Sequence, residues 1–205
     1  MRKQTLSLVT LFCGLFLWGC YPEGPVYTED MDVVVTHHNP DYDFVAKATY
    51  AMPDKIVKIT GNLKEGDAPV FIPDATAAQI LQRIASNMEA LGWQKVAVNA
   101  SPDLFLTPAE METTTVYYYY DYWYWWYGGY YPYYPYYPPV SYAGSYTTGT
   151  FFMTMSDPTV LGGNGNPVQQ WTGLLNGILS NVYDPTRVNP LIDKAFEQSP
   201  YLKTK

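Results

Sequence analysis

The stretch that decides the fold is residues Asp74 to Gly92, which read DATAAQILQRIASNMEALG. Its apolar residues recur at spacings of three and four, which is the period of an α-helix with one buried stripe. The stripe consists of Ala77, Ile80, Leu81, Ile84, Met88 and Leu91. Asp74 is an N-cap candidate and Gly92 stands where a helix ends. We predict a helix over Ala75 to Leu91 that packs its apolar face on a sheet.

The segments on either side of this helix have the alternation and β-branched runs of strands. Before the helix, we predict strands over 33–36, 44–52 and 56–60. After it, we predict strand segments over 94–99 and 104–107, with 110–120 prone to β structure as well.

The last third of the chain contains a hairpin and a second helix. Residues 149–156 alternate between the two faces of a strand, which is expected to end at Asp157-Pro158. After a glycine-rich turn, residues 168–175 are expected to form the second strand of the hairpin. Pro190 is tolerable only in a first helical turn, so the final helix, about 190–198, is expected to begin near Asn189. Trp93 and Trp171 adjoin these elements and are expected in the core.

Antiparallel strand pairs with two amphipathic helices predict the α+β class. The architecture expected is a two-layer sandwich, with a mostly antiparallel sheet and both helices on one face. The other face is either solvated or covered by an aromatic segment. Residues 32–205 are then a single domain.

A Tyr/Trp/Pro-rich insert occupies about residues 117–146, which hold 15 Tyr and 3 Trp. From Tyr130 a Tyr-Tyr-Pro repeat favours an extended polyproline-II conformation. Such rings suit lipid headgroups, sugar faces or other proteins. The alternative is a low-complexity loop that packs over its own domain, or that extends and contacts nothing specific. The candidate contact residues are Tyr122, Trp123, Trp125, Trp126, Tyr130 and Tyr133.

The N-terminus has the pattern of a secretory signal. Arg2 and Lys3 precede an apolar run that is too short for a comfortable membrane span and ends in Leu17-Trp18-Gly19-Cys20. This ending resembles a bacterial lipobox, although Trp18 stands where a smaller residue is usual. We predict a lipoprotein signal peptide over 1–19, acylation (palmitate among the chains) of Cys20, and a tether over 20–31. An ordinary signal peptide cut nearby is the alternative.

The charge of the chain argues against nucleic acid as a partner. The formal net charge is −7, and loss of Arg2 and Lys3 with the signal peptide leaves 10 Lys and Arg against 19 Asp and Glu, a net −9. A chain this acidic repels phosphate backbones. The expected partners are the membrane, through the N-terminal lipid, and an envelope protein or glycan.

The residue pattern offers little for catalysis or metal binding. His37 and His38 are adjacent on a predicted strand and therefore point to opposite faces, so they cannot easily share one ion with Asp41 and Asp43. The sequence has no Gly-x-Ser-x-Gly motif and no Cys besides Cys13 and Cys20. We expect no metal, no cofactor and no enzymatic activity. A hydrolase that uses His38, Asp41 and Asp43 is kept only as a contrasting hypothesis.

Several short stretches together resemble bacterial lipoproteins of the domain of unknown function 4136 family. They are Asp41–Phe44, Thr49–Asp54, Ala90–Trp93, Ser101–Phe105, Gly149–Pro158, Trp171–Gly173 and Phe196–Tyr201. The resemblance implies a small lipid-anchored α+β domain in the Gram-negative envelope and supplies no catalytic residues. Because Tyr21-Pro22 lacks the acidic residues that often direct lipoproteins to the cell surface, the periplasmic side of the outer membrane is favoured. The function expected is non-enzymatic binding or scaffolding; the alternative is a glycan or peptidoglycan-binding module that uses the insert.

Overall fold

The protein is described by a computed structural model that covers residues 33–59, 68–111, 149–162, 167–176 and 184–205. These ranges form one sheet and two helices of an α+β fold. The strands are β1 (Val34–His38), β2 (Thr49–Ala51), β3 (Val57–Ile59), β4 (Gln94–Lys95), β5 (Leu104–Met111), β6 (Thr150–Leu161) and β7 (Pro167–Leu175). The helices are α1 (Asp74–Ala90) and α2 (Pro185–Glu197). Within the described ranges, neither helix is long and apolar enough to cross a membrane.

The sheet is open and mostly antiparallel, as predicted. Its order is β1-β7-β6-β5-β2-β4, with β3 also paired to β5. The pairs β1–β7, β7–β6 and β6–β5 are antiparallel, whereas β2 and β3 run parallel to β5. On that parallel side β2 pairs with Leu104 and Phe105 and β3 with 109–111, so Pro108 lies where neither strand pairs with it. A missing N–H is tolerated at such a break.

Helix α1 confirms the prediction to within one residue at each end. Five residues of the predicted stripe are buried, namely Ala77, Ile80, Leu81, Ile84 and Met88. The N-cap, however, is Pro73 and not Asp74, whose carboxylate lies in the first turn instead. Gly92 follows the helix with φ +94°, a left-handed conformation that favours glycine. A side chain there would also collide with the Thr204 hydroxyl.

Helix α2 begins one turn earlier than predicted. Asp184 caps it by accepting hydrogen bonds from the Thr186 N–H at 2.9 Å and the Thr186 hydroxyl at 2.8 Å. Pro185 takes the first helical position, and Pro190 lies inside the helix. The prediction near Asn189 was wrong because an aspartate cap and a first-turn proline start the helix, and Pro190 then removes one backbone hydrogen bond.

Several predicted strands differ in extent from the observed ones, and the strand predicted over 104–107 continues to Met111. In 44–52, Phe44–Ala46 form a 3-10 helix because the Asp43 carboxylate accepts from the N–H groups of Val45 and Ala46, so only Thr49–Ala51 is strand. In 94–99 the strand is two residues long. Strand β6 continues past Asp157-Pro158 because a register shift, a β-bulge, accommodates the proline beside β7.

Alternate residues of the strands form two faces that are both buried at the centre of the sheet. The helix-side face shares one hydrophobic cluster with α1 and α2 and comprises Tyr50, Leu104, Leu106, Phe151, Met153, Met155, Trp171 and Leu175. The second face comprises the buried residues Ala51, Val57, Ile59, Phe105, Thr107, Ala109, Met111, Thr150, Phe152, Thr154 and Ser156. None of these belongs to that cluster.

Candidate functional site

The residues that the sequence nominated as sites fall outside the described ranges. Cys20 precedes residue 33, and the aromatic contact candidates lie between residues 112 and 148. Their assignment therefore rests on the sequence. Those candidates are Tyr122, Trp123, Trp125, Trp126, Tyr130 and Tyr133.

A polar cluster around Asp157 brings the titratable side chains of Tyr42, Lys47 and Asp157 together. The Asp157 carboxylate accepts hydrogen bonds from the Tyr42 hydroxyl at 2.6 Å and from the Lys47 ammonium at 2.9 Å. Its second oxygen accepts from the Thr159 N–H at 2.8 Å and the Thr159 hydroxyl at 2.6 Å. The β-bulge that ends the regular part of β6 turns this side chain toward the β1–β2 connection.

The electrostatics of this cluster favour an ionised aspartate and a neutral tyrosine at neutral pH. Burial alone raises the pKa of the Asp157 carboxyl, but hydrogen bonds from Thr159, Tyr42 and Lys47 outweigh burial and bring that pKa below its ordinary value. Burial and the adjacent carboxylate raise the pKa of the Tyr42 hydroxyl far above its ordinary value. Tyr42 therefore remains a hydrogen-bond donor over the physiological pH range.

Asp103 repeats this arrangement one strand away. Its carboxylate accepts from the N–H groups of Ala48 and Thr49 at 3.0 and 2.9 Å, and from the Thr49 hydroxyl at 2.7 Å. Burial raises the pKa of Asp103, yet these hydrogen bonds, helped by the Lys47 charge, lower it overall. The carboxylate thereby joins the start of β2 to the residue that precedes β5.

The geometry of these carboxylates suits anchoring. The Asp157 side chain is 1% exposed and receives four hydrogen bonds, so both oxygens are engaged by the chain itself. A carboxylate that acts as general base must reach a substrate proton through a free lone pair. Asp157 instead holds Tyr42 and Lys47 against β6, and Asp103 holds Ala48 and Thr49 beside the start of β5.

The structure does not bring the two histidines and the two nearby aspartates together. His38 stacks on Tyr201, with ring centroids 3.6 Å apart, while His37 lies on the opposite face of β1. Asp43 caps a 3-10 helix, and the Asp41 N–H donates to the Asn39 side chain. Among the described residues, no group of three or more His, Cys, Asp and Glu side chains is arranged to hold a metal ion.

Trp93 and Trp171 are core residues, which confirms the prediction. The Trp93 indole N–H donates to the Leu202 carbonyl at 2.7 Å, and the Trp171 indole N–H donates to the Ser199 hydroxyl at 2.8 Å. Both indoles are at most 3% exposed. They tie the sheet and the end of α1 to the C-terminal segment, where Tyr201 also donates to Ser199.

Sequence reasoning missed the Asp157 cluster because its members are far apart in the chain. Tyr42 and Asp157 are separated by 115 residues, and Thr49 and Asp103 by 54. The available signal was the set of short stretches that carry the family resemblance. Those stretches meet in pairs, since Asp41–Phe44 meets Gly149–Pro158, Thr49–Asp54 meets Ser101–Phe105, and Trp171–Gly173 meets Phe196–Tyr201.

Comparison with known proteins identifies the fold. Residues 34–201 match the profile of the domain of unknown function DUF4136. A crystal structure of a DUF4136 family protein from Bacteroides thetaiotaomicron VPI-5482 superposes with a TM-score of 0.59 at 24% identity, covering 84% of this chain and 97% of that one. The PelC dodecamer from Paraburkholderia phytofirmans aligns with a TM-score of 0.41 at 15% identity over 85% of this chain and 99% of that one. No curated protein matches the sequence. The chain belongs to the DUF4136 family, whose domain has no assigned function.

Proposed function

We propose that the protein is a lipid-anchored cell-envelope protein whose domain binds or scaffolds a partner without catalysis. The N-terminal sequence supports the anchor, because a basic head, a short apolar run and Leu17-Trp18-Gly19-Cys20 follow one another. Several acyl chains hold a protein at a bilayer firmly, since each buried CH₂ contributes about 0.8 kcal/mol. The location proposed is the periplasmic side of the outer membrane.

The proposal that the domain acts without catalysis is supported by the Asp157 carboxylate, which accepts four hydrogen bonds from the chain itself. This carboxylate is the most buried one in the polar cluster, yet the chain itself occupies both of its oxygens. A domain whose buried carboxylates serve as tethers is suited to present a rigid surface. We also propose a two-layer sandwich, supported by the single hydrophobic cluster that joins both helices to one set of strand residues.

Replacement of the acylated cysteine tests the anchor. Cys20→Ala is expected to release the protein from the membrane pellet into the soluble periplasmic fraction, and the native protein is expected to show diacylation of residue 20 by mass spectrometry. Cys13→Ala is the matched control, because Cys13 lies within the predicted signal peptide and its loss leaves the anchor intact. Membrane recovery of the Cys20→Ala protein would refute the anchor.

An envelope partner is expected to contact the aromatic insert. Cross-linking in intact cells followed by purification should capture a partner with the full-length chain and fail to capture it when residues 121–142 are deleted. A partner that is retained by the deletion variant would place the contact elsewhere on the domain.

Glycan binding is the second candidate function, favoured by the density of Tyr and Trp side chains around Tyr122 to Trp126. Aromatic rings stack on sugar faces, so peptidoglycan fragments should quench the fluorescence of Trp123, Trp125 and Trp126. Trp93 and Trp171 are buried and provide a constant background. A Trp123→Ala, Trp125→Ala, Trp126→Ala variant should lose the response, and absence of quenching by every glycan tested would remove this function.

A further inference from the structure

Strand β1 lies at one end of the sheet, with β7 as its neighbour. The Asn176 N–H donates to the Val33 carbonyl at 2.9 Å, and the Asn39 N–H donates to the Gln170 carbonyl at 2.8 Å. In an antiparallel pair, residues that exchange such hydrogen bonds alternate with residues that do not. Since positions 33 and 39 are both odd, the odd-numbered residues of β1 direct their N–H and C=O groups toward β7.

The even-numbered residues of β1 direct their backbone groups away from β7, to the outer edge of the sheet. They are Val34, Thr36 and His38, and none of their six N–H and C=O groups is hydrogen-bonded to another described residue. Val34 packs against the hydrophobic cluster and His38 stacks on Tyr201, so the side chains of these residues lie on the helix-side face. A row of unpaired backbone groups at a sheet edge is a template for pairing with another strand.

The two edges of the sheet differ in how well they are protected against such pairing. Natural edge strands are kept apart by shortness, by lysine, by proline or by a bulge. The opposite edge, β4, is two residues long and includes the exposed Lys95. Strand β1 has five residues, its register with β7 runs without a bulge, and residues 33–38 read VVVTHH, with no Lys, Arg, Asp, Glu or Pro. Strand β1 is therefore the unprotected edge.

Helix α2 adds an apolar side chain beside this edge. It packs on β7 and β1, whereas α1 packs beside β4 at the other end of the sheet. The Asp193 carboxylate faces α1, because it accepts from Arg83. Leu191 precedes Asp193 by two residues, which is about 200° around the helix, so Leu191 lies on the side of α2 away from α1. Its half-buried side chain therefore flanks the β1 edge.

The outward groups of β1 are complementary to themselves, which selects a second copy of this chain as the occupant. When two copies meet antiparallel about a twofold axis at Thr36, each Thr36 lies opposite the other Thr36, and Val34 lies opposite His38 of the second copy. These are three hydrogen-bonded pairs, so every outward N–H and C=O group of both strands is paired. A shift by two residues leaves one outward residue of each copy outside the strand pairing. The twofold register therefore uses the whole edge, as an isologous interface does.

We propose that β1 pairs antiparallel with β1 of a second copy of this chain, about a twofold axis at Thr36. The two sheets then form one continuous sheet, and both α2 helices lie on the same face with Leu191 of each copy toward the junction. The inference does not depend on the proposed function, since it concerns the edge of the sheet and neither the lipid anchor nor the insert.

A matched pair of cysteine variants tests the register in the full-length chain, with serine in place of Cys13 and Cys20 so that no other thiol is present. The two Thr36 Cα atoms would lie about 5.5 Å apart, which a disulfide can bridge, whereas the two Val34 residues would be separated by roughly 13 Å along the strands. Thr36→Cys is therefore expected to form an intermolecular disulfide at least about tenfold faster than the control Val34→Cys under mild oxidation. A mixture of Val34→Cys and His38→Cys chains should form the mixed disulfide. Equal rates at positions 34 and 36 would overturn the proposal.

A second measurement removes one outward hydrogen-bond donor. Thr36→Pro deletes an N–H that β7 does not use, and proline is tolerated in a strand whose N–H side is unpaired. Analytical ultracentrifugation should show that Thr36→Pro raises the dissociation constant of the dimer at least about tenfold, while Thr36→Ala, which keeps the N–H, leaves the dimer in place. Circular dichroism verifies that both variants are folded, and the cysteine pair decides if Thr36→Pro is not. An unmodified chain that stays monomeric up to about 1 mM, or a dimer that Thr36→Pro leaves intact, would overturn the proposal. So would a strand of another protein bound at this edge in place of the second copy.

Discussion

The two faces of the sheet are built from alternate residues of the same strands, but they differ in chemistry. On the helix-side face, Leu106, Met153 and Trp171 are fully buried apolar side chains. On the second face their neighbours are Thr107, Thr154 and Thr172, a row of hydroxyls across three strands. The helix-side face therefore packs by apolar surface, while the second face mixes apolar side chains such as Phe105 and Phe152 with a row of threonines.

This difference indicates that the helix-side face contributes more to the stability of the domain than the second face does. Apolar burial contributes about 25 cal/mol per Å² and is lost in full when a tightly packed side chain is removed. A buried hydroxyl without a partner contributes nothing comparable and can even oppose folding. Substitutions at adjacent residues, one on each face, should therefore have unequal effects.

The largest contrast is expected between Trp171 and Thr172. Trp171 stacks on Phe196 with ring centroids 5.6 Å apart and lies over Gly173, where any side chain would collide with the indole. Trp171→Ala should lower the free energy of unfolding by about 3–5 kcal/mol. Thr172→Ala, at a half-buried position, should lower it by less than about 1 kcal/mol. Chemical denaturation monitored by circular dichroism measures both, and similar losses would contradict the contrast.

Substitutions at Leu106 and Thr107, a second adjacent pair, should change the free energy of unfolding in different directions. Leu106→Ala removes a fully buried side chain and should cost about 2–5 kcal/mol. Thr107→Val keeps the shape of the side chain but removes a hydroxyl that has no partner in the described structure. It should therefore leave stability unchanged or raise it by up to about 1 kcal/mol. A clear loss of stability for Thr107→Val would contradict this expectation, because it would mean that the hydroxyl makes a stabilising hydrogen bond.

The next effect concerns Asp157, which lies at the bulge where the regular alternation of β6 ends. Asp157→Ala leaves the Tyr42 hydroxyl and the Lys47 ammonium without their acceptor. Removing one partner of a buried pair costs about 3–5 kcal/mol, and we expect about 2–4 kcal/mol because Lys47 is 25% exposed. A Tyr42→Phe, Asp157→Ala double variant should lose less than the sum of the two single variants.

The fold as a whole was more predictable from the sequence than the hydrogen bonds of Asp157. Helix α1 and the β6–β7 hairpin follow from local periodicity, because buried residues recur at 3.6 or 2 positions along one element. The start of α2 was missed because Pro190 was read as a boundary, although Asp184-Pro185 carries its own start signal. The alternation in 44–52 was misleading because the Asp43 carboxylate stabilises a 3-10 turn there.

The candidate site was far less predictable. A hydrogen bond between Tyr42 and Asp157 leaves no periodic signal in the sequence, since it depends on the packing of β6 beside the β1–β2 connection. The same holds for Trp171 and Ser199, which are 28 residues apart. The sequence did not decide whether the second face is exposed to solvent or covered by the aromatic segment, because its threonines suit either environment.

Acid should weaken the hydrogen bonds of the Asp157 and Asp103 carboxylates before it weakens the packing on either face of the sheet. The pKa values of Asp157 and Asp103 are lowered in the folded chain, whereas an unfolded aspartate titrates near about 3.9. Their contribution is thus fully present above about pH 5 and is lost as the pH falls through 4 toward the lower folded values. Thermal melts from pH 7 to pH 2.5 should show this loss, with a shallower pH dependence for Asp157→Asn. The exposed Asp41→Asn is the matched control and should follow the unmodified chain.

The smallest effect is expected at the helix–helix contact, which belongs to neither face. Arg83 on α1 donates from both Nε and Nη2 to the Asp193 carboxylate on α2, and Asn87 donates to the same carboxylate at 2.8 Å. Because the Arg83 side chain is 43% exposed, water screens this pair, and Arg83→Ala should lower the stability least of the variants considered. The loss should shrink further in 1 M salt, where the screening length falls to about 3 Å. Gln82→Ala, at the neighbouring exposed position, controls for helix propensity. A loss for Arg83→Ala as large as that for Asp157→Ala would show that burial does not decide the strength of these anchors.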